Sequence, residues 1–247
     1  MAELLRLAIG EKRFNGAPIL AGLSVTVAAG EVVALVGPSG CGKSTALMLA
    51  AGLDRDFTGE RHLAPGARLV VQFQEPCLLP WRCLTDNIDL ALPPARRGGD
   101  TARRWLEAVE LPAAAQAQFP AEVSLGMQRR AALARALAAD GDLLLLDEPL
   151  VSLDAGLAGR LRALLLRRMA ERPGLGLLIV THDLMEAAQM ADRILLLGGH
   201  PSRLVGEVRP DGQRGQRGPA QQSDILSRIA RLQQMPVSPA PYLSICP

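Results

Sequence analysis

The stretch Glu31-Val-Val-Ala-Leu-Val36, followed directly by Gly37-Pro-Ser-Gly-Cys-Gly-Lys-Ser-Thr45, decides the fold of this chain. The apolar run predicts a short buried strand, and the residues after the glycines predict a helix over 43–51 that Gly52 ends. The turn between them fits the pattern G-x-x-x-x-G-K-[ST] in the strand–turn–helix context that this pattern requires. Its glycines allow the backbone to curl until several N–H groups point at one anion. The stretch therefore predicts a phosphate-binding loop.

Every residue of this loop is a candidate for contacting a nucleotide. Lys43 places a positive charge where the β- and γ-phosphates would lie, and the Ser44 hydroxyl is a candidate Mg²⁺ ligand. The predicted nucleotide contacts are Gly37, Pro38, Ser39, Gly40, Cys41, Gly42, Lys43, Ser44 and Thr45. The loop predicts a nucleotide and Mg²⁺ as ligands, and on its own it does not separate a kinase from a GTPase or a transport ATPase.

Two carboxylates end a second buried strand. Four leucines over residues 143–146 are followed by Asp147, Glu148 and a proline. An acid at this strand end holds the Mg²⁺ shell in phosphate-loop NTPases, which makes Asp147 a candidate metal ligand. Glu148 lies one residue beyond and is the candidate general base for an attacking water. His182 follows the predicted strand 177–181, at the sheet edge where open α/β folds bind ligands, and we expect it to contact the γ-phosphate.

Composition limits the class of protein. The chain has 247 residues, of which 49% are hydrophobic, and a net charge of +2, which is too weak to indicate a nucleic-acid partner. Its apolar runs are far shorter than the roughly 20 residues that a membrane span requires, and its start does not resemble a secretory signal. The four cysteines have neither metal-site nor disulfide spacing, so we expect reduced thiols in a cytosolic protein.

Strands and helices alternate along most of the chain, which predicts an α/β fold with a mostly parallel sheet. Residues 76–139 are rich in proline and then helical, and they predict a helical lobe inserted into one domain over 1–208. Residues 209–247 are predicted to be a flexible linker, a short helix capped by Ser223, and a loose tail. Strands are predicted at 4–9, 20–27, 31–36, 68–73, 143–146, 177–180 and 194–197, and further helices at 101–109, 124–138, 154–171 and 183–190.

Together these motifs resemble the ATP-binding-cassette family, over about residues 4–208. Gln74 resembles the family's glutamine loop, which contacts Mg²⁺, and Asp154 ends a segment similar to the loop that crosses the dimer. Residues 181–183 resemble the switch-histidine motif. Phe14 lies where the family places an aromatic that stacks on adenine, although a Phe at a strand end can also be a core residue. The resemblance implies ATP as the nucleotide and an antiparallel β region at the N-terminus.

A finer resemblance is to the importer ATPases for nitrate, alkanesulfonates and taurine. Residues 73–81, 131–137 and 183–188 carry it. It implies ATP hydrolysis by a homodimer or a paired subunit, bound to integral membrane permease subunits at the inner face of the membrane and served indirectly by a solute-binding protein. Residues 76–87 would then lie near a groove for a permease helix with Trp81 as a contact, or would be an ordinary proline-rich loop. The transported solute is not identified.

The chain departs from the family at the signature segment, which begins L-S-G-G in the family and reads Val123-Ser-Leu-Gly126 here. Ser124 and Gly126 remain candidate nucleotide contacts. Leu125 replaces a glycine that lets backbone approach the γ-phosphate. Its side chain would either crowd the nucleotide and weaken closure around ATP, or point away and change little. The alternative functions are therefore a degenerate subunit that binds ATP and hydrolyses weakly, and a soluble ATPase of this family without a permease.

Overall fold

The computed structural model describes residues 2–234, which form two sheets and a set of helices. The strands are β1 (Glu3–Phe14), β2 (Ala17–Ala28), β3 (Val32–Val36), β4 (Thr58–Leu63), β5 (Leu69–Gln72), β6 (Leu143–Asp147), β7 (Gly176–Thr181), β8 (Arg193–Gly198) and β9 (Arg203–Val208). The α-helices are α1 (Lys43–Ala51), α2 (Leu84–Asp89), α3 (Thr101–Ala108), α4 (Ala113–Gln116), α5 (Leu125–Ala138), α6 (Ala155–Glu171), α7 (Leu184–Met190) and α8 (Pro219–Gln234).

The larger sheet has the order β5-β6-β7-β3-β8-β9, and its first five strands run parallel. Every residue of β3, β6 and β7 is buried, as expected for strands covered on both faces. Register pairs Val36 with Thr181, and Asp147 with Val180. The carboxyl ends of these three strands therefore meet at one edge, which is where the predicted phosphate loop, acidic pair and histidine all begin.

The smaller sheet, β2-β1-β4, is antiparallel and lies over α1. Its inward side chains form one apolar cluster with α1 and with one face of the large sheet; Leu7, Val25, Leu47 and Leu195 are members. Strand β4 was not predicted, because its sequence is polar and most of it is exposed. A side chain at Gly59 would place Cβ 2.0 Å from the carbonyl oxygen of Ala8, so this crossing with β1 requires glycine.

Helices α2 to α5 form the predicted helical lobe between β5 and β6. Its buried side chains include Leu84, Leu106 and Leu133, and they belong to the cluster that covers the other face of the large sheet. The fold class is confirmed: a mostly parallel sheet, an antiparallel N-terminal sheet and an inserted helical lobe. No helix within residues 2–234 is long and apolar enough to cross a membrane.

Three helices begin one residue later than predicted, because the polar residue at each predicted start is the N-cap and lies outside the helix. Ser124, Asp154 and Asp183 lie just outside α5, α6 and α7, and each accepts a backbone N–H of the first turn. The prediction that Ser223 caps the last helix is wrong, since α8 begins at Pro219. Proline is favourable in the first turn because its missing N–H would have no intrahelical partner there. Met235, also assigned to that helix from the sequence, lies outside the described residues.

The segment between β9 and α8 is anchored, in contrast to the flexible connector that its composition predicts. The Arg217 side chain is only 5% exposed. Its guanidinium donates to the carbonyl oxygens of Ala188 and Ala191 at the end of α7, at 2.8 and 2.9 Å, and to those of Asp211 and Gly212. The hydrogen bonds of the buried Arg217 thus hold the segment between β9 and α8, although its sequence has no apolar periodicity.

Candidate nucleotide-binding site

The phosphate loop connects β3 to α1 through backbone that only glycine adopts easily. Gly40 and Gly42 have φ of 76° and 90°, and Gly42 occupies the N-cap position of α1. A Cβ at Gly42 would lie 2.9 Å from a methyl group of Leu20 in β2, so the loop is also packed too closely for a side chain. Pro38, Ser39, Gly40 and Ser44 are exposed. The first-turn N–H groups of α1 therefore open towards solvent, as an anion site requires.

The side chain of Lys43 folds back over this loop. Its Nζ donates to the carbonyl oxygens of Gly37 and Pro38, each at 2.9 Å, and the side chain is buried. Two carbonyl acceptors leave the three-donor ammonium one further hydrogen bond to make. The positive charge is therefore fixed inside the curl of the loop, beside the backbone that would surround a phosphate.

Asp147 is buried at the end of β6 and close to the phosphate loop. Burial raises the pKa of Asp147, and the Ser44 hydroxyl and the Lys43 ammonium act in the opposite direction. Its Oδ1 has no hydrogen-bond partner among the described residues. An unpaired carboxylate oxygen beside a hydroxyl is the hard-oxygen donor set that Mg²⁺ takes, with substrate phosphates and water completing its shell. Ser44 and Asp147 therefore fit the predicted metal.

Glu148 and His182 lie in direct contact. The Glu148 Oε1 atom accepts the backbone N–H of His182 at 3.1 Å and lies 2.8 Å from His182 Nδ1. The Glu148 side chain is 11% exposed, whereas that of His182 is 54% exposed. Glu148 has φ of 49°, and its backbone N–H donates to the Val180 carbonyl of the neighbouring strand. The structure therefore brings the predicted base and the predicted γ-phosphate contact together as one unit.

A buried acid below this pair was missed by sequence reasoning. The Thr181 hydroxyl donates to Glu186 Oε2 at 2.7 Å, and Thr181 Oγ1 accepts the backbone N–H of Asp183 at 3.0 Å. Glu186 is 3% exposed, and burial raises its pKa to about 7. The available signal was its place in the short α7, next to two alanines that pack inward. Thr181 directly precedes His182, so the buried acid supports the backbone that presents the histidine.

The remaining predicted residues lie around this centre. A cavity of about 480 Å³ is lined by Gly37, Pro38, Ser39 and His182, so the phosphate loop and the histidine share one space. Phe14 is 65% exposed at the end of β1, so the core-residue alternative is wrong. The described lining of the cavity includes none of Lys43, Ser44, Asp147 and Glu148, and it also does not include Gln74, Ser124, Gly126 or Asp154.

These four outlying residues have their own settings. Gln74 is exposed after β5 and lines a separate groove. Ser124 Oγ accepts the Met127 N–H at 3.3 Å, and Asp154 Oδ1 accepts the Leu157 N–H at 2.9 Å. Gly126 faces open space, since the nearest atom to a Cβ there would be Ser124 Oγ at 4.0 Å. A single copy of the chain therefore assembles the phosphate-loop side of a nucleotide site and leaves the signature segment elsewhere.

Comparison with known proteins agrees with this geometry. Residues 20–151 match the family model described as ABC transporter. The chain is 45% identical, over 218 residues, to the aliphatic sulfonates import ATP-binding protein SsuB 2 of Burkholderia cenocepacia, covering 85% of this chain and 80% of that protein. It is 40% identical over 222 residues to SsuB 1 of Pseudomonas aeruginosa (strain UCBPP-PA14), covering 84% and 87%.

Solved structures give the same result. The dimeric post-hydrolysis state of the ATP-binding cassette MJ0796, bound to ADP and Pi, superposes with a TM-score of 0.75 at 26% identity. The match covers 85% of this chain and 100% of that one. A second dimeric structure of the same cassette matches with a TM-score of 0.74.

Proposed function

The chain belongs to the ABC transporter family and is an ATPase of that family, and we propose that it hydrolyses Mg-ATP to energise a membrane importer of a small solute of the aliphatic sulfonate, nitrate and taurine class. The family model and the import proteins of Burkholderia and Pseudomonas support the transport role. The choice of solute rests on those relatives, because the family resemblance implies that partner proteins, and not the ATPase subunit, contact the solute.

One observation carries the proposal: a single sheet edge holds the phosphate loop, the buried Asp147 and the Glu148–His182 pair. Lys43 and the α1 N-terminus supply positive charge for the β- and γ-phosphates. Ser44 and Asp147 would hold Mg²⁺, with Gln74 joining them once its loop moves inward. When bound, the metal neutralises charge that develops on the phosphates.

The chain's own residues provide the proton chemistry. Glu148 takes a proton from the water that attacks the γ-phosphate in line, because its carboxylate lies 2.8 Å from His182 Nδ1, and His182 lines one cavity with the phosphate loop. His182, which this carboxylate holds through both its backbone N–H and its ring, contacts the γ-phosphate and fixes its position. Phe14, exposed on the sheet that packs on the loop, stacks on adenine.

Two copies complete the site. Gly126 faces open space in the first turn of α5, so this helix N-terminus is open for a phosphate from a second chain. The dimeric state of the similar cassette MJ0796 supports pairing with either a second copy or a related subunit, and the family resemblance implies that the two pack head to tail. The dimer would sit on permease subunits at the cytoplasmic face of the membrane and receive solute indirectly, through a solute-binding protein.

Replacing Glu148 by glutamine tests the ATPase half of the proposal. Turnover should fall by about 10²-fold or more, because glutamine cannot accept the proton, while ATP affinity stays within about twofold. Glu107→Gln, an exposed acid on α3, is the matched control and should retain full activity. Undiminished hydrolysis by the Glu148 variant would remove this residue from the mechanism.

Uptake in the source organism tests the transport half. Deleting the coding gene should abolish uptake of a labelled alkanesulfonate, and a plasmid carrying the original chain should restore it while the Glu148→Gln version should not. Labelled nitrate and taurine serve as parallel probes of the solute class. Uptake of all three solutes that is indifferent to the deletion would refute the importer role.

A further inference from the structure

A glutamate ends helix α3 in a backbone conformation that favours glycine. Glu110 has φ of 59°. Two hydrogen bonds close the helix end: the Glu110 N–H donates to the Glu107 carbonyl at 2.8 Å, and the Leu111 N–H donates to the Leu106 carbonyl at 2.9 Å. Glycine is the usual residue at this position of such a helix end, because a Cβ is unfavourable in the left-handed region. The turn itself therefore does not explain why a glutamate side chain is present here.

The carboxylate of Glu110 reaches from the helical lobe to α6, which lies outside the lobe. Arg160 on α6 donates from Nε and Nη2 to the two carboxylate oxygens, at 2.5 and 2.9 Å. Paired hydrogen bonds between a guanidinium and a carboxylate fix direction as well as distance. Arg160 also lowers the pKa of the Glu110 carboxyl below its ordinary 4.5, so the carboxylate is charged at neutral pH. A directed ion pair thus connects the lobe to α6.

The backbone of Glu110 is held from a second side by the signature helix α5. Arg130 donates from Nη1 to the carbonyl oxygens of Glu110 and Val109, at 2.6 and 3.2 Å. Arg130 lies four residues after Gly126, about one turn along from the helix start that is open for a phosphate. Glu110 therefore contacts the signature helix through its carbonyl and α6 through its carboxylate.

Arg160 lies beside the loop that the family resemblance places across the dimer. Asp154 ends that loop and caps α6. A Cβ on Gly156 would lie 3.3 Å from Arg160 Nη1 and 3.3 Å from Asp154 Oδ1, so the two charged atoms flank the same glycine. The four charged residues therefore form one connected set between the signature helix and the dimer-crossing loop, and we call it the Glu110 cluster: Arg130, Glu110, Arg160 and Asp154.

We propose that Glu110 is a positioning residue for ATP hydrolysis, which holds the signature helix and the Asp154 loop at one spacing so that both reach the nucleotide of the partner chain together. The inference rests on the proposed function, in which two chains pair head to tail, and adds a residue to it. The phosphate loop and the Glu148–His182 pair of the same chain begin at the sheet edge. Binding of ATP by a single chain should therefore not depend on Glu110.

Three variants and a matched control test this role. Glu110→Gly removes the carboxylate and suits the backbone, so its free energy of unfolding in urea should be at least that of the original. Glu110→Gln removes the charge at nearly constant size, and Arg160→Met removes the partner. The control is Glu3→Gln, because Glu3 and Arg6 form an ion pair of the same two-bond geometry in β1. The arginine side chain is 60% exposed in both pairs.

The measured quantities are the ATP affinity of the single chain, ATP-driven dimerisation and ATP turnover. Dimerisation is followed by sedimentation with Glu148→Gln added to every protein, so that ATP is not consumed. The three variants should weaken dimerisation about 3- to 10-fold, because an exposed ion pair contributes a factor of up to about five and the dimer contains two. Turnover at low protein concentration should fall by a similar factor, and the ATP affinity of the single chain should stay within about twofold. Glu3→Gln should change none of these.

The double variant Glu110→Gln with Arg160→Met should dimerise no more weakly than either single variant, because both remove one interaction. Unchanged dimerisation in Glu110→Gly, an equal loss in Glu3→Gln, or single effects that multiply in the double variant would each overturn the inference. So would a loss of ATP affinity or of folding stability in both Glu110 variants, because that is the result of a merely structural role. Absence of ATP turnover and of ATP-driven dimerisation in the original chain counts against the proposed function itself, which distinguishes the two failures.

Discussion

Replacing Glu186 by glutamine should make the protein more stable at alkaline pH and leave its stability at acidic pH nearly unchanged. The Glu186 carboxyl is buried below the switch histidine, and its Oε2 accepts the Thr181 hydroxyl at 2.7 Å. Glutamine is nearly the same size, and its amide oxygen can accept the same hydrogen bond. The substitution therefore removes the ability to ionise while keeping the shape and the contact with Thr181.

The magnitude follows from the pKa. Burial raises the pKa of Glu186 from 4.5 to about 7; the Asp183 and Glu148 carboxylates raise it too, whereas the Thr181 hydroxyl and the Arg162 guanidinium lower it. The folded protein thus binds this proton more tightly than the unfolded chain, so the contribution of Glu186 to stability is fully present below pH 4.5 and is lost as the pH rises to about 7. At 1.36 kcal/mol per pKa unit the full loss is about 3 kcal/mol. The glutamine variant has no such loss, so the two proteins should diverge by up to that amount.

Urea unfolding followed by circular dichroism, at several values between pH 4.5 and pH 8.5, measures the divergence. All other titrating groups are common to both proteins, so the difference between their curves isolates Glu186. Glu107→Gln, on the exposed face of α3, is the control and should follow the original protein at every pH. Parallel curves for the original protein and Glu186→Gln would show that the buried carboxyl has an ordinary pKa, and the reasoning would fail.

Two further substitutions test other parts of the structure. Phe14→Ala should raise the KM for ATP about tenfold, because stacking on adenine is lost, and should leave the free energy of unfolding nearly unchanged, because Phe14 is 65% exposed. The control is Leu53→Ala, which changes a side chain that is 60% exposed. An unaltered KM for the Phe14 variant would exclude Phe14 from adenine binding. Arg217→Met should lower the free energy of unfolding by about 2–4 kcal/mol, because the carbonyl oxygens of Ala188 and Ala191 lose their donor. The control is Arg231→Met, at an exposed position of α8, which should leave the free energy of unfolding unchanged. Equal free energies for the two variants would mean that Arg217 does not anchor the segment between β9 and α8.

The site residues that the sequence predicted best are those whose position follows from strand direction. The phosphate loop, Asp147 and His182 each follow a continuous apolar run, and parallel strands bring such ends together. The Glu148–His182 contact follows from that rule. The roles of all these residues in catalysis stay predictions until variants are measured.

What the sequence did not predict depends on tertiary partners. Strand β4 is polar and exists because β1 offers it a hydrogen-bonding edge, and β9 is an edge strand whose register with β8 shifts between Gly206 and Leu204. The pairing of Glu186 with Thr181 needs the packing of α7 under the sheet edge, which no local pattern encodes. Similarly, the signature motif does not reveal that Leu125 and Gln74 line the same groove, because the direction of a side chain is not a property of the motif.

The backbone of Glu148 indicates what this sheet edge is organised for. A non-glycine residue with φ of 49° costs of order 1 kcal/mol or more, and glycine or asparagine would adopt this conformation more easily. The strain is held by the Val180 carbonyl, and the conformation directs the carboxylate back to the backbone and ring of His182. Stability alone does not explain an acid here, because the same turn could form without one. The chain's own backbone therefore holds the carboxylate against the histidine, at the sheet edge where the phosphate loop also begins.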